Sequence, residues 1–345
     1  MYRTSDGQEI FVIDGHVHYW DGSRENWRNP KYAEGWLNCF YDYHKNLSPA
    51  EEVWPLELYA KYPEEQIMKD LFEQGYVDMA IFQPTYLMDF YTNGWNTVER
   101  SATLKEKYPD KFILNGRFDP RDGEDGLIAF EEQAKRYGFK GVKLYTAEWV
   151  GSSKGYSLKD EWARRYLDKC AELGVLNIHV HKGPTIWPFN RDAFDVADID
   201  DAATEYRDAG LRFIVDHCGL PRLEDFCWIA AQEPNVYGGL SVVMPFIHAK
   251  PHYFAEVLAE LLWWLGEDRL MFQSDYALWS PKWLIDKFMA FEFPQDVKEQ
   301  RGVDLTLEGK RKILGLNAAK LYDLTAPGQG AERGFTEALK APVPA

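Results

Sequence analysis

Short apolar runs recur along the chain, separated by longer stretches whose apolar residues fall three and four apart. The runs are "EIFVIDGHVH", "VDMAIFQPT", "KFILNGRFDP", "GFKGVKLYTAE", "GVLNIHVHKGP", "LRFIVDHCGLP", "NVYGGLSVVMP" and "RLMFQSDYALW". Nearly continuous hydrophobic runs of this length, bounded by Gly, Pro or Asp, read as strands buried on both faces. Between them, "DGLIAFEEQAKRYG", "LKDEWARRYLDKCAELG" and "YFAEVLAELLWWLG" carry the period of amphipathic helices, and "TLEGKRKILGLNAAKLYDL" closes the series. Strand and helix alternating through eight units predict an α/β fold, a (β/α)₈ barrel, with a doubly wound open sheet as the alternative. No G-x-G-x-x-G follows the first strand, so dinucleotide binding has no support.

One connection departs from the pattern. Residues 19–62, between the first strand and its helix, make a 44-residue insertion where barrel loops usually run a few residues. Eleven of those residues are aromatic, among them Trp20, Trp27, Trp36, Phe40 and Trp54. Such a segment packs rather than wanders. It is expected either to cap the catalytic face, where βα loops open, or to form an oligomer interface. The barrel is expected to be a single domain over residues 1–325. Residues 326–345, rich in Gly, Ala and Pro, are expected to form a loose tail.

A net charge of −16 argues against nucleic acid or an anionic membrane as partner, although a local basic pocket can still take an organic acid. Cys39, Cys170, Cys218 and Cys227 form neither a CxxC pair nor a disulfide framework. "MYRTSDGQEI" has no apolar signal core, and no run approaches the ~18 apolar residues of a membrane span. A cytoplasmic protein is expected.

The chemistry gathers at the strand ends. His16 and His18 close the first strand two residues apart, so they share a face. The fifth strand ends in His179 and His181, the sixth in His217 and the eighth in Asp275. Five of the eight histidines thus sit at three strand ends, on the face where barrels do chemistry. Imidazoles and a carboxylate suit zinc or another borderline divalent ion. Asp14 shares the parity of His16 and His18 and is expected to orient a ligand. Arg117, ending the third strand, and Lys143, in "GVKLY", face inward by the same parity and could hold a carboxylate. Trp20 is expected in the substrate pocket. Cys218 should point away from His217 and pack. His44, His248 and His252 fall in loops and take no role.

"IDGHVHYW", "HVHKG", "VDHCGLPR", "MFQSDY" and "KILGLNAAKLYDL", in that order over residues 10–325, resemble the amidohydrolase superfamily. The similarity is greatest to its amidohydrolase-2 branch of decarboxylases and lactone hydrolases. The resemblance implies one divalent ion held by His16, His18, a fifth-strand histidine and Asp275. His181 matches that ligand better than His179, which lies one pleat deeper. It also implies that His217 acts as acid or base beside the ion, and that the protein is a homodimer. Lys143 is read as an unmodified cation, with a carbamylated, metal-bridging lysine as the alternative. Zinc is expected first, with manganese, magnesium or iron possible. The expected reaction is decarboxylation of a small aromatic or unsaturated acid. Hydrolysis of a lactone, amide or related bond is the alternative, and an inactive barrel that binds a partner protein is the second.

Overall fold

The computed structural model describes residues 1–326, so the expected tail lies, beyond Ala326, outside the described residues. Eight parallel strands form the barrel: β1 (Ile13–Val17), β2 (Met79–Phe82), β3 (Phe112–Leu114), β4 (Gly141–Leu144), β5 (Asn177–His181), β6 (Arg212–Asp216), β7 (Val236–Gly239) and β8 (Leu270–Met271). The ladder is continuous from β4 to β8 and from β1 to β3. Two seams close the ring. Lys143 N–H donates to Gly116 O (2.8 Å) between β3 and β4. Between β8 and β1, Gly15 N–H donates to Phe272 O (3.0 Å), and Val17 bridges to Tyr276.

The helices between the strands follow the sequence period. Glu161–Leu173 buries Ala163, Tyr166, Leu167 and Cys170, one stripe of a helix, and stops at Gly174 in the left-handed conformation. Inside the barrel, Ile13, Ile81, Ile214 and Met271 pack on one another and on Ala318, Leu321 and Tyr322. Asn177 and Arg212, at the starts of β5 and β6, donate to Leu321 O, so the closing helix stoppers the N-terminal end. That approach needs Gly315, where a Cβ would lie 2.2 Å from Phe11 O. The opposite end is left for chemistry.

After β1 the chain enters the helix Pro30–Leu47, capped by the Asn29 side chain, which accepts from Tyr32 N–H, with proline in its first turn. The helix buries Ala33, Trp36, Leu37, Phe40 and His44, again a single stripe. Among the described residues no helix is long and apolar enough to cross a membrane, and the four cysteines are free.

Candidate metal centre and pocket

β1 does not run straight into its histidines. Its register with β2 shifts between Asp14 and Val17, a bulge that turns Ile13 and both His16 and His18 inward. The two Nε2 atoms lie 3.1 Å apart, and His18 Nε2 lies 3.1 Å from Asp275 Oδ1. His16 Nε2 is 3.6 Å from the same oxygen. Donors about 2.1 Å from one tetrahedral zinc stand about 3.4 Å apart, so this spacing suits three atoms sharing an ion. At 3.1 Å the two Nε2 atoms can share one hydrogen, one ring donating to the other, or turn both lone pairs to one ion. Asp275 reaches the cluster from a left-handed backbone, φ 60°, uncommon for a residue other than glycine.

His181 sits on the same pocket wall. Its Nδ1 is 2.9 Å from His217 Nε2, while its own Nε2 is buried without any protein partner. The ligand atoms that lie within 4.8 Å of one another are those of His16, His18 and Asp275. His181 stands outside that group, lines the same cavity and carries a buried nitrogen with no protein partner, which leaves it free to join them as a fourth ligand. His179, one pleat deeper, has both nitrogens engaged: Nε2 with the Tyr322 hydroxyl (2.9 Å), Nδ1 with Asp216 Oδ1 and the Gln83 amide (3.2 Å each).

A carboxylate that the sequence did not single out stands behind the cluster. Asp216 is buried and ion-pairs with Lys143 Nζ. It accepts from Gln273 Nε2 (2.7 Å), and its Oδ2 lies 3.6 Å from His16 Nδ1. The strand alternation expected in "VDHCG" puts Asp216 and His217 on opposite faces. His217 instead adopts a left-handed backbone, φ 71°, and both side chains end inside. His217 Nδ1 faces Ser241 Oγ at 2.9 Å. Its ring packs against Gly183, where a Cβ would come 2.6 Å from the His217 Cβ.

Burial sets the protonation states. It pushes His16 down to about 3 and holds His181 and His217 below the ordinary imidazole value, with the Lys143 charge adding to the effect. Neutral imidazoles are the form that binds metal. Burial opposes ionisation of Asp275 and Asp216 as well. The imidazoles of His16, His18 and His217 outweigh it for Asp275, and Lys143 with His16 and His179 for Asp216, so both carboxyls lie below their usual range.

His16, His18, His181, His217, Asp275 and Lys143 line one cavity of about 20 Å³, room for an ion and little more than a water. Its remaining walls are Trp36 and Phe40 from the long first connection, Thr85 and Trp95 from the loop after β2, and Tyr145 after β4.

Three expectations need correction. Trp20 does not line the cavity: its ring stacks behind Trp95 (5.0 Å), and its Nε1–H donates to Tyr59 O (2.7 Å). Arg117 does not line it either. β3 ends at Leu114, so parity no longer governs Arg117, and its guanidinium pairs with Asp119 (3.2 Å) and Glu148 (3.1 Å). Asp14 lies across the bulge from the histidines. It accepts from the backbone N–H of His16 (3.2 Å) and Ser274 (2.9 Å), which ties β1 to the segment carrying Asp275. Cys218 packs in the core. His44 is buried, with Nδ1 2.6 Å from Leu278 O and Nε2 accepting from Trp54 N–H (2.8 Å). His248 rests near Trp283, and His252 pairs with Asp296 on the surface.

A family model described as amidohydrolase matches residues 13–324. No curated protein matches by sequence. Solved structures share the fold. An uncharacterised TIM-barrel protein from Bordetella bronchiseptica is 16% identical, with a TM-score of 0.63 over 90% of this chain and 98% of its own. A protein from Pseudomonas putida described as a 2-pyrone-4,6-dicarboxylic acid hydrolase is 16% identical, TM-score 0.55, over 92% and 98%. A 5-carboxyvanillate decarboxylase from Novosphingobium aromaticivorans, with bound manganese and a nitrobenzoic acid, is 17% identical, TM-score 0.56, over 94% and 100%. At such identities the likeness concerns the fold alone.

Proposed function

Because this chain belongs to the amidohydrolase family, we propose that it is a metal-dependent enzyme that removes CO₂ from a small planar carboxylic acid. The observation that carries the metal is the convergence of His16 Nε2, His18 Nε2 and Asp275 Oδ1 within 3.1–3.6 Å, at the barrel end where loops meet. His181, through its free Nε2, is the fourth ligand in this reading. Zinc suits three imidazoles and a carboxylate, and manganese, present in the decarboxylase of similar fold, is the alternative. When bound, the ion acts as a Lewis acid toward a substrate oxygen.

The remaining work falls to side chains. His18 is oriented by the Gln83 carbonyl, 2.8 Å from its Nδ1; a proton held there leaves Nε2 free as a ligand. Asp216, 3.6 Å from His16 Nδ1, faces that ring as a charge and neutralises Lys143. The aromatic wall excludes water and buries a flat ligand. The cavity is too small for an aromatic acid as it stands, so Trp36, Phe40 and the helix that carries them act as a cap that moves on entry. Loss of CO₂ leaves an electron pair on carbon. In this reading His217 passes that carbon a proton, and Asp275, ionised, keeps to holding the ion and accepting hydrogen bonds. A homodimer belongs to the same reading.

Hydrolysis of a lactone remains the second reading, in line with the description, as a hydrolase, of one protein of similar fold. There His217 and Asp275 would take a proton from the attacking water. The test is a panel of hydroxybenzoates, muconate-type acids and lactones, followed by CO₂ release and by base uptake. CO₂ from any acid supports decarboxylation. Base uptake with a lactone, and no CO₂ from any acid, replaces it with hydrolysis.

A further inference from the structure

Besides His181 Nε2, two buried polar atoms of pocket-lining residues have no protein partner: the indole Nε1 of Trp36 and the hydroxyl of Tyr145. Their rings stand 5.9 Å apart and come from different elements, the helix Pro30–Leu47 and the loop after β4. Buried donors are costly to leave unpaired. Other buried tryptophan and tyrosine donors are also unpaired, and what sets these two apart is that their residues line the cavity, where an acceptor from outside the chain can enter. An indole N–H can only donate, which fixes the sign of what it meets: an oxygen, not another N–H. The cation that lines the same cavity, Lys143, does not compete for that role, because it is held by Asp216. Phe40 and Trp95 complete an apolar wall around the two donors, suited to a flat carbon frame.

We infer that Trp36 and Tyr145 donate hydrogen bonds to the substrate, which is accordingly a planar acid carrying a further oxygen beyond the one directed at the ion. This rests on the acid-converting reading above. Neutral donors strengthen when the acceptor is anionic, so a carboxylate or phenolate oxygen suits them. A site built to bond such an oxygen rejects analogues that lack it, because its donors are then left bare.

The test uses the metal-loaded full chain, Trp36→Phe and Tyr145→Phe, which keep an aromatic ring and delete the donor. Melting temperature, metal content and calorimetric affinity for benzoate, 2-hydroxybenzoate and cis,cis-muconate are measured. Expected are unchanged or slightly higher melting temperatures, unchanged metal, and a loss of about 10- to 100-fold in affinity for 2-hydroxybenzoate in each variant. The wild type should prefer 2-hydroxybenzoate to benzoate, and the variants should lose that preference. Unchanged affinities in both variants would overturn the inference and leave the acid reading standing. So would a large fall in melting temperature with affinity intact, because the donors would then serve folding. A metal-loaded wild type that binds none of the three acids would overturn the acid reading and the inference together.

Discussion

His217 Nε2 lies 2.9 Å from His181 Nδ1, and the far nitrogen of each ring points elsewhere: His217 Nδ1 to Ser241 Oγ, His181 Nε2 to no protein atom. One proton fits between the two rings. If His181 carries it on Nδ1, its Nε2 lone pair is free for an ion, and His217 is held by donating from Nδ1 to Ser241. His217 is then both the group that orients a ligand and a proton carrier close to the ion.

That double position gives the first prediction. His217→Ala should weaken metal affinity by about 10- to 100-fold, the usual effect of losing an orienting partner. It should still bind metal at saturation, and turnover there should be lower by about 10²–10⁴-fold. Metal titration followed by assay at saturation checks it. Metal loss that no excess restores would make His217 a ligand, and normal turnover would remove it from the chemistry.

The second concerns the buried pair of Lys143 and Asp216. Removing one partner of a buried ion pair leaves an uncompensated charge, at a cost of about 3–5 kcal/mol. Asp216→Ala should lower stability by about that amount. Pairing it with Lys143→Met should recover much of the loss while activity stays absent, because His16 has lost its carboxylate. Urea unfolding of the single and double variants measures this. An additive double variant would mean that the two groups do not depend on each other.

How much of this could be read from residue order depends on the backbone. His16 and His18 stand out because spacing by two survives on any strand. Asp14 was misplaced because the bulge in β1 breaks that alternation. Asp216 escaped notice because it precedes His217, and alternation sends neighbours to opposite faces. Only the left-handed φ of His217, a conformation no sequence period reports, brings both inside. Arg117 failed for the opposite reason, since its strand stops three residues earlier than its apolar run suggests. The barrel itself followed from local periods. The pocket wall did not, because Trp36, Trp95 and Tyr145 meet from three separate connections and carry no common local signal.

The third prediction is a pH dependence of stability. Burial lowers the pKa of His44, whose Nε2 accepts from Trp54 N–H and would lose that bond on protonation. The unfolded chain takes up this proton near pH 6.5, whereas the folded chain resists it. The stabilisation is therefore present above that pH and is lost as pH falls below it. His44→Gln should be less stable than wild type at pH 8, and the gap should narrow toward pH 5. Denaturation midpoints across that range check it. A gap that widens toward pH 5 would reverse the assigned sign.

The central claim is that His16, His18, His181 and Asp275 hold one divalent ion. Elemental analysis of the purified chain beside the double variant His16→Ala, His18→Ala measures this most directly. The account predicts close to one zinc or manganese per wild-type chain and almost none in the variant. A metal-free wild type that takes up no added ion, or a variant that keeps its metal, would contradict it. So would two ions per chain with the mass of a carbamate on Lys143, which would make the centre binuclear.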